Sequence, residues 1–233
     1  MSELTFTFLL PGCVDARVPP NLIMGEDAGN VFVHRNVANL VVNTDSNLLS
    51  ALQYGVAYLK VKDIIVCGHY ECGGMRAAES PNDHVAPLET WLRNARDVYR
   101  LHQAELDAIE DPNARHRRFV DLNVIEQCLN VFKTGVVQKR RKEAFLAGEE
   151  ILPRVHAMVF DPNTGDLNRI PVDFTKYAEN LADVYGMHLV ELEPAKEEKE
   201  ESKPFEAVDN GATEPVDAEV VEVKAEEKET VFA

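Results

Sequence analysis

Tryptophan occurs once in this 233-residue chain, and aromatic residues together make up only 7 % of it. Positive charge is scarce too: 24 Lys and Arg face 40 Asp and Glu, a formal net charge of −16. That balance excludes a nucleic-acid reader, whose partner's phosphates need a basic face. Long apolar runs are missing as well. None approaches the roughly 20 residues that span a bilayer, so no membrane partner is expected. The sequence opens without a basic and then apolar leader, and cysteine is limited to Cys13, Cys67, Cys72 and Cys128. A chain that is 45 % apolar can bury a core without disulfide staples. The expectation for the thiols is therefore a reducing, cytoplasmic compartment, with metal binding or burial as their use.

The charge that is present is unevenly placed. Glu191 to Ala233 holds 15 acidic and 5 basic residues, a net −10, which leaves only −6 for residues 1–190. From about Glu193 the composition is Glu, Lys, Ala and Val with Pro204 and Pro215, a mixture that cannot bury enough surface to offset its ordering entropy. The organisation expected is one α/β domain over residues 1–192 and an acidic, disordered tail over 193–233. The basic run Gln138 to Phe145 reads as a solvated helix face.

Three short apolar stretches predict strands: Thr5 to Leu10, followed by Pro11-Gly12 and ending at Cys13, Asn30 to Val33, and Asp63 to Cys67. Between the second and third, Leu48, Leu52, Val56 and Leu59 recur at helical spacing behind an Asp/Ser start. Strand, helix, strand at this spacing implies parallel pairing. The pattern from Pro87 to about Glu110 predicts a helix with Pro87 as its first residue. Another follows Asp111-Pro112 as far as a break at Gly135. Two extended pieces, "RVHAMVFD" and "LNRIPVDF", flank "PNTGD", where Asn163 and Gly165 suit a hairpin turn.

Chemistry concentrates in two places. The stretch "GCVDARVPP" sets Cys13, Asp15 and Arg17 at alternate positions just past the first strand, and "CGHYECGG" sets His69 and Cys72 at the end of the third. Adjacent parallel strands bring their carboxyl ends together, at the edge where open α/β sheets place their sites. Cys13, His69 and Cys72 are then two thiolates and an imidazole, a donor set suited to Zn²⁺ with a fourth position left for water. Cys67 and Cys128 read as buried small hydrophobes. Arg17 can fork the Asp15 carboxylate and hold it charged beside the metal. A loop salt bridge without catalytic part is the alternative for that pair.

Taken together, "CVDARV" and "HYEC", 56 residues apart, resemble the Cys-x-Asp-x-Arg and His-x-x-Cys signature of the β-class carbonic anhydrases, its fungal members above all. The resemblance runs over about residues 5–190 and includes "FVHRNVANLV", "ALQYGVAYLKVKDIIVCGH" and "LNVIEQCLNVFKTGVV". It implies a mostly parallel sheet with an added C-terminal strand, flanked by helices. It also implies a homodimer or tetramer that hydrates carbon dioxide to bicarbonate with hydroxide held by Zn²⁺ on Cys13, His69 and Cys72. Asp15 and Arg17 would orient that hydroxide. Phe32, Val37 and Tyr54 match the family's apolar substrate pocket, partly donated across a dimer, and the Gly73 N–H matches its anion donor. Two thiolates on the metal imply activity that grows toward alkaline pH. A non-catalytic relative that keeps the zinc site as an interaction or carbon-dioxide-sensing protein is the alternative. A thiol-redox role is excluded by the want of a Cys-x-x-Cys pair.

Overall fold

The computed structural model describes residues 8–185, with the side chains of 181–183 excepted; the expected tail, the first three residues of the expected first strand and the chain's end lie outside them. In chain order the elements are β1 (Phe8–Cys13), α1 (Pro20–Met24), β2 (Val31–Asn36), α2 (Ser46–Gln53), β3 (Asp63–His69), α3 (Gly73–Glu79), α4 (Leu88–Leu101), α5 (Gln103–Asp107), α6 (Pro112–Phe132), α7 (Gly135–Ala147), β4 (Arg154–Phe160), β5 (Leu167–Ile170) and α8 (Phe174–Tyr185). A tight 3₁₀ turn over Val37–Asn39 follows β2, and a π-helical turn over Tyr54–Tyr58 extends α2.

The strands form a five-stranded sheet in the order β2-β1-β3-β4-β5. The first four run parallel and β5 returns antiparallel to β4 through the Asn163–Gly165 turn, where Gly165 takes a φ of 82°. Strand β1 runs through Pro11 and Gly12 and ends at Cys13, the end expected of it. Proline has no N–H for a ladder, and the β1–β3 pairing is interrupted at Leu10 and Pro11 before it resumes at Gly12 and Cys67. This interior strand therefore absorbs a proline without ending, and carries Cys13 to the carboxyl edge of the sheet. The single helix expected over Pro87 to Glu110 is two, α4 and α5, broken at His102, and Pro87 is the residue before the first turn rather than in it. Helix starts follow the sequence elsewhere: the Asp45 carboxylate accepts from the N–H groups of Asn47 and Leu48, and that of Asp111 from Ala114.

The main core packs α2, α3, α4 and α6 on one side of the sheet, with Leu9, Ile64, Val66, Leu92, Phe119 and Val124 at its centre. A smaller cluster of Leu10, Val31, Ile65 and Cys67 lies apart from it, with Ile23 and Met24 of α1 packed against it. Cys128 is buried in α6, so neither Cys67 nor Cys128 is free to serve the site. Gly68 sets how closely α6 approaches β3, since a Cβ there would lie 2.5 Å from Val124 Cγ2. Among the described residues no helix is long and apolar enough to cross a membrane.

At the opposite end of β3, Asp63 accepts from Arg154 Nε at 2.7 Å and Nη2 at 2.9 Å, and from His156 Nε2 at 2.7 Å. Burial pushes the Asp63 carboxyl up, but the His156 and Arg154 hydrogen bonds outweigh it and bring it down to about 2. A carboxyl depressed in the folded state stabilises fully above its unfolded value near 3.9 and loses that contribution as pH falls toward 2. The metal-free protein should lose on the order of 2 kcal/mol through this group between about pH 5 and pH 2. Asp63→Asn should lack that part of the slope in urea unfolding across the range. Superimposable slopes for the two proteins would show that the cluster stores no such energy.

Candidate metal centre

The parallel ladder decides which side chains meet. Gly12 of β1 lies opposite Cys67 of β3, so Cys13 and His69 emerge within a residue or two of one another at the carboxyl edge. After His69 the chain reverses tightly, with Glu71 in the left-handed region at a φ of 57°, and Cys72 arrives as the residue before α3. The Sγ atoms of Cys13 and Cys72 and a ring nitrogen of His69 all lie within 4.8 Å of one another, and all three residues are buried.

The donor atoms are unsatisfied in the way a cation would satisfy them. The two sulfurs are 3.9 Å apart, far beyond a disulfide. Two thiolates at the usual zinc–sulfur distance and a tetrahedral angle would stand about 3.8 Å apart. His69 donates from Nδ1 to the Tyr70 carbonyl at 2.9 Å, which leaves Nε2 as the lone-pair nitrogen, buried with no hydrogen-bond partner. The Cys72 thiol donates toward Cys13 and outweighs burial there; with the His69 ring and the Asp15 N–H adding to it, the Cys13 thiol falls to about 4. Sharing with Cys13 and burial push Cys72 the other way, well up, against the N–H groups of Gly74 and Met75. Two thiols contending for one proton beside an orphaned imidazole nitrogen fit a divalent cation of borderline softness, and zinc suits two sulfurs and a nitrogen.

Asp15 stands beside this cluster with Oδ2 at 3.8 Å from His69 Nε2. Arg17 forks it, donating from Nε to Oδ1 at 3.0 Å and from Nη2 to Oδ2 at 2.7 Å, while the Arg17 backbone N–H also reaches Oδ1 at 2.9 Å. That fork, chiefly, holds the carboxyl far below the usual carboxylate range, so Asp15 is an acceptor at any working pH. Arg17 Nη2 also donates to the Glu71 carbonyl at 3.0 Å, tying the first motif to the second.

Val37 and Gly73 lie at the same edge. Gly74 packs directly on the Val37–Asn39 turn, where a Cβ would come within 2.8 Å of Val37 Cγ1 and 3.1 Å of the Ala38 Cβ. Gly73 opens α3 with open space before it. Phe32 and Tyr54 are elsewhere. Phe32 pairs with Leu9, four residues or about 13 Å down the strand from the Cys13 level. Its ring lies tilted at 5.9 Å from that of Tyr54, half exposed, which in turn stacks at 5.7 Å on the exposed Tyr58. Within one chain Phe32 is partly buried against the core, Tyr54 and Tyr58 face outward beside it, and the level of Phe32 on the strand keeps it away from the metal centre. A separate cavity of about 580 Å³, lined by Val41, Asn94, His102, Lys133 and Tyr177 among others, includes none of the three donors.

Sequence reasoning missed Arg35 as a support. Its guanidinium donates to the carbonyls of Cys13 at 2.6 Å, Asp15 at 2.5 Å and Val18 at 3.1 Å, fixing the loop that aims Asp15. It missed the braces of the Val37 turn as well, where Trp91 donates to the Val37 carbonyl and Asn123 to that of Ala38. The signals were present only as residues inside "FVHRNVANLV" and on two distant helices.

Comparison with known proteins places these features. A sequence profile described as carbonic anhydrase matches residues 8–167. A carbonic anhydrase of Emericella nidulans is 49 % identical over 180 residues, which cover 77 % of this chain and 76 % of that protein. Among solved structures, the tetrameric β-carbonic anhydrases of Sordaria macrospora align at 37 % identity with a TM-score of 0.64, covering 71 % of this chain and 81 % of the other. The Coccomyxa β-carbonic anhydrase bound to acetazolamide aligns at 34 % identity and 0.65, covering 76 % and 78 %.

Proposed function

Because the chain belongs to the β-class carbonic anhydrase family and so catalyses the reversible hydration of carbon dioxide to bicarbonate, we propose that Cys13, His69 and Cys72 hold the Zn²⁺ that this reaction uses. The metal, when bound, supplies a Lewis acid that brings the pKa of a water molecule toward neutrality and makes hydroxide available near pH 7. Everything else in the step falls to side chains. Asp15, ionised and forked, accepts the nucleophile's hydrogen bond and turns its lone pairs toward the substrate carbon. Arg17 keeps that carboxylate in place. Val37 offers an apolar wall suited to linear, apolar carbon dioxide, and the Gly73 N–H donates to the bicarbonate that forms.

Phe32 and Tyr54 serve this pocket from a second subunit. What supports that reading is the exposure of Tyr54 beside Phe32 in the single chain, together with the tetramer named for the Sordaria relatives. The protein then works as a homodimer or tetramer. Residues 1–192 form the catalytic unit, residues 193–233 an acidic appendage, and the unpaired, buried thiols suit the cytoplasm.

The observation that carries the reading is the pair of sulfurs 3.9 Å apart facing an orphaned imidazole nitrogen, with a forked carboxylate alongside. Stopped-flow hydration of carbon dioxide combined with a zinc count is the test. One zinc per chain and a rate that rises toward alkaline pH are expected. One zinc with hydration no faster than buffer would favour a binding or sensing role instead.

A further inference from the structure

The residue that fixes the His69 tautomer is its own neighbour, and that neighbour is clamped. Tyr70 contributes the carbonyl that accepts from His69 Nδ1. Its backbone N–H donates to the Phe160 carbonyl at 3.0 Å, at the end of the β3–β4 ladder. Its ring lies under Arg117, with the guanidinium carbon 3.5 Å from the ring centroid, and its hydroxyl donates to Asp121 Oδ1 at 3.0 Å. Arg117 and Asp121 are one turn apart on α6, so both point from the same helix face. Arg117 in turn donates to Asp161 Oδ2 at 2.9 Å. Asp161 directly follows β4 and anchors the turn to β5, accepting from the Gly165 N–H through its carbonyl and donating to the Asp166 carbonyl.

We propose that Arg117 is a positioning residue for the metal ligand His69, acting through Tyr70: held by Asp161, it presses the Tyr70 ring against Asp121 and so sets the direction of the carbonyl that orients the imidazole. The tight reversal through Glu71 leaves the Tyr70 peptide between two demanding conformations, the end of a strand and a left-handed residue. A peptide so placed needs outside support to hold one direction, and the ring is the handle by which α6 gives it. Groups that orient a ligating histidine typically govern metal affinity by about tenfold or more.

The inference rests on His69 ligating the metal, so the experiment carries a control for that. Zinc affinity of the full chain is measured by competition with a chelator, alongside the visible spectrum of the Co²⁺-substituted protein, well below the melting temperature of every variant. Arg117→Ala is expected to weaken zinc about tenfold and to shift the Co²⁺ absorption bands. Arg117→Lys, which keeps a cation within reach of Asp161, should recover part of both. Tyr70→Phe, which keeps the ring under Arg117 and loses only the bond to Asp121, should lie close to wild type. A merely structural clamp would lower the melting temperature of the metal-free protein in Arg117→Ala and leave affinity and spectrum unmoved. That result, with His69→Ala impaired, would overturn the positioning role alone. Unchanged affinity in His69→Ala would overturn ligation, and this inference with it.

Discussion

Cys72→Ala is expected to leave a folded protein that holds little or no zinc and hydrates carbon dioxide at the rate of buffer. With Cys72 gone, Cys13 and His69 supply two donors to a cation that wants three from the protein and one from water. The same outcome is expected of Cys13→Ala and His69→Ala, because all three donor atoms lie within 4.8 Å of one another and the carboxylate alongside, Asp15, is held by the Arg17 fork. Cys67 and Cys128 give the contrast. Burial chiefly, with a neighbouring thiol adding to it in each case, pushes the Cys67 thiol up to about 12 and the Cys128 thiol well up, so neither ionises readily to bind a metal. Cys128→Ala should therefore keep one zinc per chain and near-normal turnover while losing roughly 1 kcal/mol or so of stability to the small cavity it leaves. Zinc counts by atomic emission and stopped-flow rates on the four variants decide the matter. A Cys72→Ala protein with full zinc would refute the ligand set, and a Cys128→Ala protein without zinc would enlarge it.

The contrast between the thiols also marks what the sequence makes legible. Strand spacing and the parallel rule bring Cys13 and His69 to one edge without any side-chain information, because a ladder converts sequence position into spatial position. That is why the donor set could be read from "GCVDAR" and "CGHYEC", and why Asp15 and Arg17, two and four residues past a strand end, could be paired. Interactions between elements far apart in sequence are not encoded in that way. Arg35 meets the Cys13 and Asp15 carbonyls because β2 lies beside β1, yet the direction of its guanidinium depends on a loop whose course no periodicity describes. Arg117 reaches Tyr70 only once α6 has docked on β3 at the closeness that Gly68 permits. The strand end at Cys13 is legible in spite of Pro11, and the structure shows why the proline is tolerated: pairing with β2 on one side continues unbroken to Cys13.

Arg17→Ala and Asp15→Asn should both retain zinc and both lose activity by about a hundredfold or more, by different routes. In the wild-type protein the Asp15 carboxylate has its Oδ2 at 3.8 Å from His69 Nε2, close enough to reach a cation held there, and the guanidinium fork is what restrains it. Without Arg17 only the backbone N–H at residue 17 still holds Oδ1, so Oδ2 is free to turn in and take the fourth metal position in place of water. Asp15→Asn keeps the shape but offers a neutral amide. An amide is a weaker acceptor from the nucleophile and a weaker ligand, so the fourth position stays open to water while its orientation is lost. The two variants thus separate access from orientation. Because Asp15 is ionised far below neutrality, the Asp15→Asn loss should not depend on pH between about 6 and 9, whereas the Arg17→Ala loss should shrink as pH rises, since hydroxide then competes with the carboxylate for the fourth position. If the pair were only a loop salt bridge, more than half exposed at Arg17, each change would cost little stability and leave turnover near wild type. Hydration rates, zinc content and a crystal structure of Arg17→Ala test the scheme together. Full activity in either variant would refute the catalytic role, and an inactive Arg17→Ala protein with water still in the fourth position would refute displacement by the carboxylate.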